Sequence, residues 1–257
     1  MSQMTLLAMA VTAVLAEGKA EPPPPALACL SHWYRVHPQR AEDGRWVAAL
    51  EDGVVVPYDG GRPGRTLEEK LAAPDVKDVF SIPYRRGEIR PVATVDEDPG
   101  RIRVDALFRA TFGHSEEEVR RRLVPVEILG QRLLVHQRAQ PAFQRVGARL
   151  EALVKADPGL RPFLENLGGT FLWRKIANTD RQSSHSYGIS LDVNTARSHY
   201  WEWQRPKEPV RWQNEIPQAI VDAFEAEGFI WGGRWYHYDT MHFELRPELL
   251  DPRCRSR

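Results

Sequence analysis

The chain of 257 residues balances 35 Lys+Arg against 35 Asp+Glu, and 42% of its residues are hydrophobic. That suits one large domain or two small ones with a real core. A formal charge of zero disfavours a general nucleic-acid binder, which carries a basic excess or stripe, and the dense basic run at 120–122 follows three glutamates at 116–118, as on a solvated helix face with paired charges.

Residues 4–16 are almost wholly apolar. The run fits a signal-peptide core and is too short to span a bilayer. Small residues follow, with cleavage expected after Ala16 or Ala20, although no Lys or Arg precedes the run. Residues 1–20 are therefore read as a signal peptide and the protein as exported, periplasmic or extracellular. An N-terminal helix in a cytoplasmic protein is the alternative. No stable membrane insertion is expected. A lipoprotein signal prefers Leu three residues before the cysteine, where Ala26 stands, so a lipid anchor on Cys29 is rejected. Residues 21–28 read as a stiff Pro-rich linker. The chain has two cysteines, Cys29 and Cys254, near its two ends. A disulfide between them and two free thiols are equally open readings.

From 29 to 125 an α+β region of unassigned role is expected. Its apolar bursts WVAAL, GVVVPY, VFSIPY, RPVATV and RIRVDALF read as short strands or irregular segments between turns. SEEEVRRRL, 115–123, opens with Ser115 and Glu118 in capping-box spacing and reads as a helix. VEILGQRLLVH, 126–136, reads as two strands around Gly130 and opens a second domain, 126–257. PAFQRVGARLEALVKAD, 141–157, is a clear helix, with Phe143, Val146, Leu150, Leu153 and Val154 on one face. RPFLENLGG is a short helix stopped by glycines. EIPQAIVDAFEAEG is another, with Ile220, Val221 and Phe224 inward and Gly228 as its stop.

Two stretches flank that helix, SSHSYGISLDVN at 183–194 and GFIWGGRWYHYDTMHFE at 228–244. As strands, they alternate. Ile189, Leu191 and Val193 face the core, while Ser190, Asp192 and Asn194 face the other way. Met241, Phe243 and Leu245 face the core, while His242 and Glu244 face away. Gly188 supplies a turn that swings His185 toward Asp192. If the strands are neighbours, His185, Asp192 and His242 converge. Two imidazoles and one carboxylate leave a fourth position open, which suits a catalytic rather than a structural zinc. Asp239 lies just before the second strand, where a carboxylate can take a proton from an activated water. Glu244 is placed to orient a ligand. His199 and His237 read as structural or surface residues. HExxH, GxSxG, SxxK, P-loop and GxGxxG patterns are all absent.

At these residues the chain resembles the zinc D-alanyl-D-alanine carboxypeptidase family. That family includes L-alanyl-D-glutamate endopeptidases and D,D-dipeptidases, and it shares its fold with hedgehog-type zinc domains. The signature SxHxxGxxxD is met by Ser183, His185, Gly188 and Asp192. The second part, a Trp-rich segment ending in an acid, two residues and a His, is met by Trp231, Gly232, Gly233, Trp235, Asp239 and His242. The resemblance covers roughly 126–250. It implies an α+β fold: a small antiparallel sheet carrying the zinc site, flanking helices, and an N-terminal mixed extension. It implies Zn2+ held by His185, Asp192 and His242, and Asp239 as general base. An arginine upstream of the first His would bind substrate or oxyanion, with Arg174 the first choice and Arg181 the second. Ser183, Trp231 and Trp235 are expected to contact substrate. Ser190 departs from the family's usual Ala. The expected protein is a monomeric zinc peptidase cleaving peptidoglycan stem peptides, as carboxypeptidase or endopeptidase. A non-catalytic cell-wall-binding module of the same fold is the alternative.

Overall fold

Helix α1 (Pro25–Trp33) begins at a proline, whose missing N–H costs nothing in a first turn, and buries Ala26, Leu27, Cys29 and Leu30. The stretch 21–28 is therefore not all linker: from Pro25 onward its apolar residues have a core to enter. In the computed structural model the described residues are 21–177, 179–204 and 210–254, so the expected signal peptide at 1–20 lies outside them. Strands β1 (Val36–Arg40), β2 (Trp46–Leu50) and β3 (Val55–Pro57) form an antiparallel sheet in that order. Helix α2 (Leu67–Ala72) follows, its Thr66 and Glu69 forming a reciprocal capping box.

Three of the apolar bursts depart from strand. The start of VFSIPY belongs to a 3-10 turn at Val76–Phe80. RPVATV has no regular element. RIRVDALF runs into helix α3 (Asp105–Phe112), which buries Leu107, Phe108, Thr111 and Phe112. Those positions repeat at helical spacing, and Gly113 at φ 144° ends the helix.

Helix α4 (Glu116–Arg120) is capped by Ser115, whose hydroxyl accepts the Glu118 N–H. Its glutamates pair with Arg120, Arg121 and Arg122 at i,i+4, the solvated face expected. Strands β4 (Leu123–Ile128) and β5 (Gln131–His136) make the hairpin around Gly130. The expected boundary at 125/126 falls inside β4, and buried side chains on both sides of it join one core. Helix α5 (Gln140–Ala156) buries Phe143, Val146, Leu150 and Val154, with short α6 (Arg161–Leu164) after it.

The sheet that matters most is β6 (Ser190–Asp192), β7 (Phe229–Trp231) and β8 (His242–Leu245), in the order β6-β8-β7 and antiparallel throughout. Helix α7 (Gln218–Glu225) connects β6 to β7 and packs its Phe224 ring on Phe243 at 3.9 Å. Phe143 of α5 meets Phe229 at 4.8 Å. Each such ring contributes roughly 1.5–3 kcal/mol of burial, so α5 and α7 fix the sheet from its apolar face. The last helix, α8 (Pro247–Leu250), leads to Cys254, which forms a disulfide with Cys29 across a Cα separation of 5.0 Å. The architecture is α+β, as expected.

Candidate metal centre

The register of β6 against β8 sets Asp192 opposite His242. His185 reaches them from a 3-10 turn at Ser184–Tyr187, whose cap is Ser183: its hydroxyl accepts the His185 N–H at 3.4 Å. The turn ends at Gly188, φ 63°, where a Cβ would lie 2.9 Å from the His136 backbone nitrogen. Only glycine supplies both the left-handed backbone and the missing side chain.

His185 Nε2 lies 3.1 Å from Asp192 Oδ1, His242 Nδ1 lies 3.1 Å from the same oxygen, and the two nitrogens are 3.2 Å apart. Donors about 2.0–2.1 Å from one tetrahedral ion stand about 3.3 Å from each other. The triangle and its donor chemistry therefore fit a metal ion, and His185, Asp192 and His242 can hold one. A second group, Cys29, Asp251 and Cys254, has its thiols committed to the disulfide.

The electrostatics agree. Burial works to raise the Asp192 carboxyl, but the imidazoles of His185 and His242 hold it well below the usual carboxylate range. Burial disfavours a charged His242, yet its hydrogen bonds to Asp192 and Glu244 lift its pKa to about 10. Without a cation the ring keeps a proton there, which a metal ion must displace.

Glu244 stands behind this ring. Its Oε2 is 3.4 Å from His242 Nε2, so it can fix the ring's orientation. Its Oε1 lies 3.2 Å from Arg246 Nη1 and 3.5 Å from Arg103 Nη1. Burial penalises the charged carboxylate, but Arg103, His242 and Arg246 overcome this and depress its pKa strongly. Arg246 in turn is fully buried and donates to Glu248 at 2.5 Å. Asp239 keeps some surface, but its Oδ1 is sealed from solvent with no hydrogen-bond partner among the described residues. Burial pushes its carboxyl up to about 6.

His185, Asp192, His242, Asp239, Ser183, Trp235 and Arg174 line one cleft of about 270 Å³. Trp231 does not. It is buried to 1% exposure in the core, stacked on Phe243, with its indole N–H donated to the Thr240 carbonyl. As the last residue of β7 it points to the apolar face, so the expected substrate contact is corrected to a packing role. Ser190 is also fully buried rather than open to the cleft, and its hydroxyl has no partner among the described residues. Arg174 is an exposed rim residue whose guanidinium reaches the Lys175 carbonyl at 3.4 Å. Arg181 also lines the cleft, more enclosed; burial and the neighbouring Arg103 lower its pKa to about 9. His237 bonds Asp98 at 2.7 Å and His199 bonds Glu215 at 3.1 Å, outside the triangle.

The cleft also takes residues that the sequence did not single out: Arg101 and Arg103 from the first half of the chain, and Tyr200, Glu202 and Trp203 after β6. The two arginines lie about eighty residues before His185 in a stretch read only as an apolar burst, and no spacing rule connects them to it.

Residues 177–245 match the family model described as D-alanyl-D-alanine carboxypeptidase. The resemblance holds over this stretch. It begins before His185 and ends with β8, so it takes in Asp192, Asp239, His242 and Glu244. The match supports a peptidase of the D-alanyl-D-alanine carboxypeptidase type, a hydrolase with a peptide as substrate.

Proposed function

We propose that this protein is a zinc-dependent peptidase that cleaves peptidoglycan stem peptides. The observation that carries the proposal is the triangle of His185, Asp192 and His242 donors in one cleft with Asp239, whose carboxyl burial raises to about 6. When bound there, Zn2+ would polarise the scissile carbonyl and lower the pKa of a water toward about 7.

The chain's own groups supply the rest. Asp239 takes the proton of the attacking water on its carboxylate and returns it to the leaving amine nitrogen. Glu244 holds His242 so that Nδ1 faces the triangle. Arg174 and Arg181, both cationic and on the cleft wall, stand where a substrate anion or tetrahedral oxyanion can be met. Trp235 closes the floor beside His242, at 5.8 Å between ring centres. An ionisable Asp239 at the site favours catalysis over a non-catalytic wall-binding module.

Export is part of the same proposal. A disulfide such as Cys29–Cys254 suits an oxidising compartment, and the apolar run at 4–16 suits a signal peptide. No helix among the described residues is long and apolar enough to cross a membrane.

Purified protein stripped with a chelator should lose peptidase activity on isolated peptidoglycan and regain it with Zn2+. The Asp239→Asn protein should bind the metal normally while turnover falls about 10²–10⁴-fold. Full activity in that variant would sink the base assignment. Unchanged activity after complete metal removal would sink the zinc reading.

A further inference from the structure

The stretch from Pro99 to Arg103 precedes the matched segment, yet Gly100, Arg101 and Arg103 line the same cleft as the metal donors. It is pinned from three directions. Arg246 donates to the Gly100 carbonyl at 2.8 Å, Arg181 donates to the Arg101 carbonyl, and Arg103 donates to the Gln182 carbonyl. At Gly100, φ 89°, a Cβ would meet Ile230 Cδ1 at 2.5 Å, so the backbone lies tight against β7. This is a fixed wall of the cleft.

Arg101 is the cation on that wall with the weakest carboxylate partner. Among the described residues its nearest carboxylate is Asp98, at 4.0 Å. Asp98 is already engaged by the His237 backbone N–H at 3.0 Å and the His237 ring at 2.7 Å. The Arg101 guanidinium lies over the Trp235 ring, 4.8 Å from its centre, and its Nη2 donates one long hydrogen bond to the His237 carbonyl at 3.4 Å. That indole is itself tied down by its N–H, donated to the Pro99 carbonyl at 2.7 Å. A stacked guanidinium keeps its planar fork oriented, the arrangement that suits a carboxylate gripped by two parallel hydrogen bonds. The same indole has His242 beside it. One ring therefore spaces a cation from the metal donors.

We infer that Arg101 binds the terminal carboxylate of the peptide and so restricts the cleft to chain ends. The inference rests on the peptidase reading above and says which peptides it takes. A terminal carboxylate lies one residue from the bond cut by a carboxypeptidase, so its anchor and the metal donors must share one small cleft. At about 270 Å³ this cleft is at the small end for ligand sites. An enzyme cutting within a chain needs instead a groove open on both sides of the donors.

The test compares two substrates, an N-acylated peptide ending in D-Ala-D-Ala as the free acid and the same peptide as its C-terminal amide. The zinc-loaded wild-type protein should favour the acid by about 10- to 100-fold in kcat/KM, as expected for a charged hydrogen-bonded contact. In Arg101→Met the acid-to-amide ratio should collapse toward one, through a rise in KM for the acid rather than a fall in kcat. Arg101→Lys should restore part of the ratio, since it returns the charge without the fork. Metal content should be unchanged in both variants. A wild-type ratio near one, or an unchanged ratio in Arg101→Met, overturns the role of Arg101 while leaving the peptidase intact. Cleavage confined to internal bonds overturns it in the same way. If the wild type cleaves no peptide at all, the peptidase reading and this inference fall together.

Discussion

On one wall of the cleft three donor atoms crowd within 3.1–3.2 Å of one another. On the other wall the Arg101 guanidinium has its nearest described carboxylate at 4.0 Å. The first wall concentrates lone pairs that call for a cation, and the second presents a cation that calls for an anion. They are also built differently. The donor wall is a register of sheet and turn within 69 residues of matched chain (177–245). The arginine wall is irregular backbone held by side chains from distant parts of the sequence. The contrast teaches that chemistry written as a spaced motif can sit on regular structure, while selectivity can be supplied by a segment with no pattern of its own.

The comparison is broken most completely from the donor side. His185→Ala or His242→Ala should lower zinc affinity by more than about 100-fold, more than loss of an outer partner does, and abolish turnover. Metal analysis after dialysis checks this; a variant that keeps stoichiometric zinc would show that the triangle is not the metal site. Glu244→Gln comes next. It leaves Arg103 and Arg246 without their shared buried carboxylate, at about 3–5 kcal/mol of stability, measurable by denaturant unfolding at pH 7. The sign follows from the depressed pKa of Glu244. Its contribution is present above the unfolded carboxyl pKa, about 4.3, and is lost as pH falls below that toward its folded value. The difference between wild type and variant should therefore narrow in acid.

A smaller effect sharpens the role of Asp239. As a base it must be ionised, so kcat/KM should fall about tenfold per pH unit on the acid side. Its pKa is about 6 without a cation nearby, and a bound cation lowers it. The acid limb should therefore break at or below 6; a break well above 6 would point to another group. The smallest effect belongs to Ser190. Its hydroxyl is buried without a described partner, so Ser190→Ala should leave stability unchanged or raise it by up to about 1–3 kcal/mol, with zinc binding intact. A marked loss of zinc would give Ser190 a role in the centre that its burial does not suggest.

The donor wall was legible because its geometry is periodic. Alternation placed Asp192 and His242 on one face, and Gly188 marked the turn that delivers His185. Helices α5 and α7 were legible for the same reason, from apolar spacing and their stops. Trp231 misled because tryptophan in a Trp-rich motif suits a groove and a core equally, and only the neighbouring Phe243 and the Thr240 carbonyl decide between them. Ser190 misled because two-residue alternation tells which face a side chain takes, not whether that face is covered. Helix α3 was hidden by reading RIRVDALF as a unit, which cut its helical period in half. Arg101 was invisible because, Asp98 apart, the contacts that set it in the cleft are with chain about eighty or more residues away, through carbonyls and an aromatic face that carry no sequence signal.

The Cys29–Cys254 bond, 225 residues apart in sequence, makes most of the molecule a covalent ring. A protease that nicks any one exposed loop inside it therefore opens the ring without releasing a fragment, and the two pieces stay joined until a reductant cuts the second tether. A single such wound therefore leaves the two halves of the fold tethered to each other.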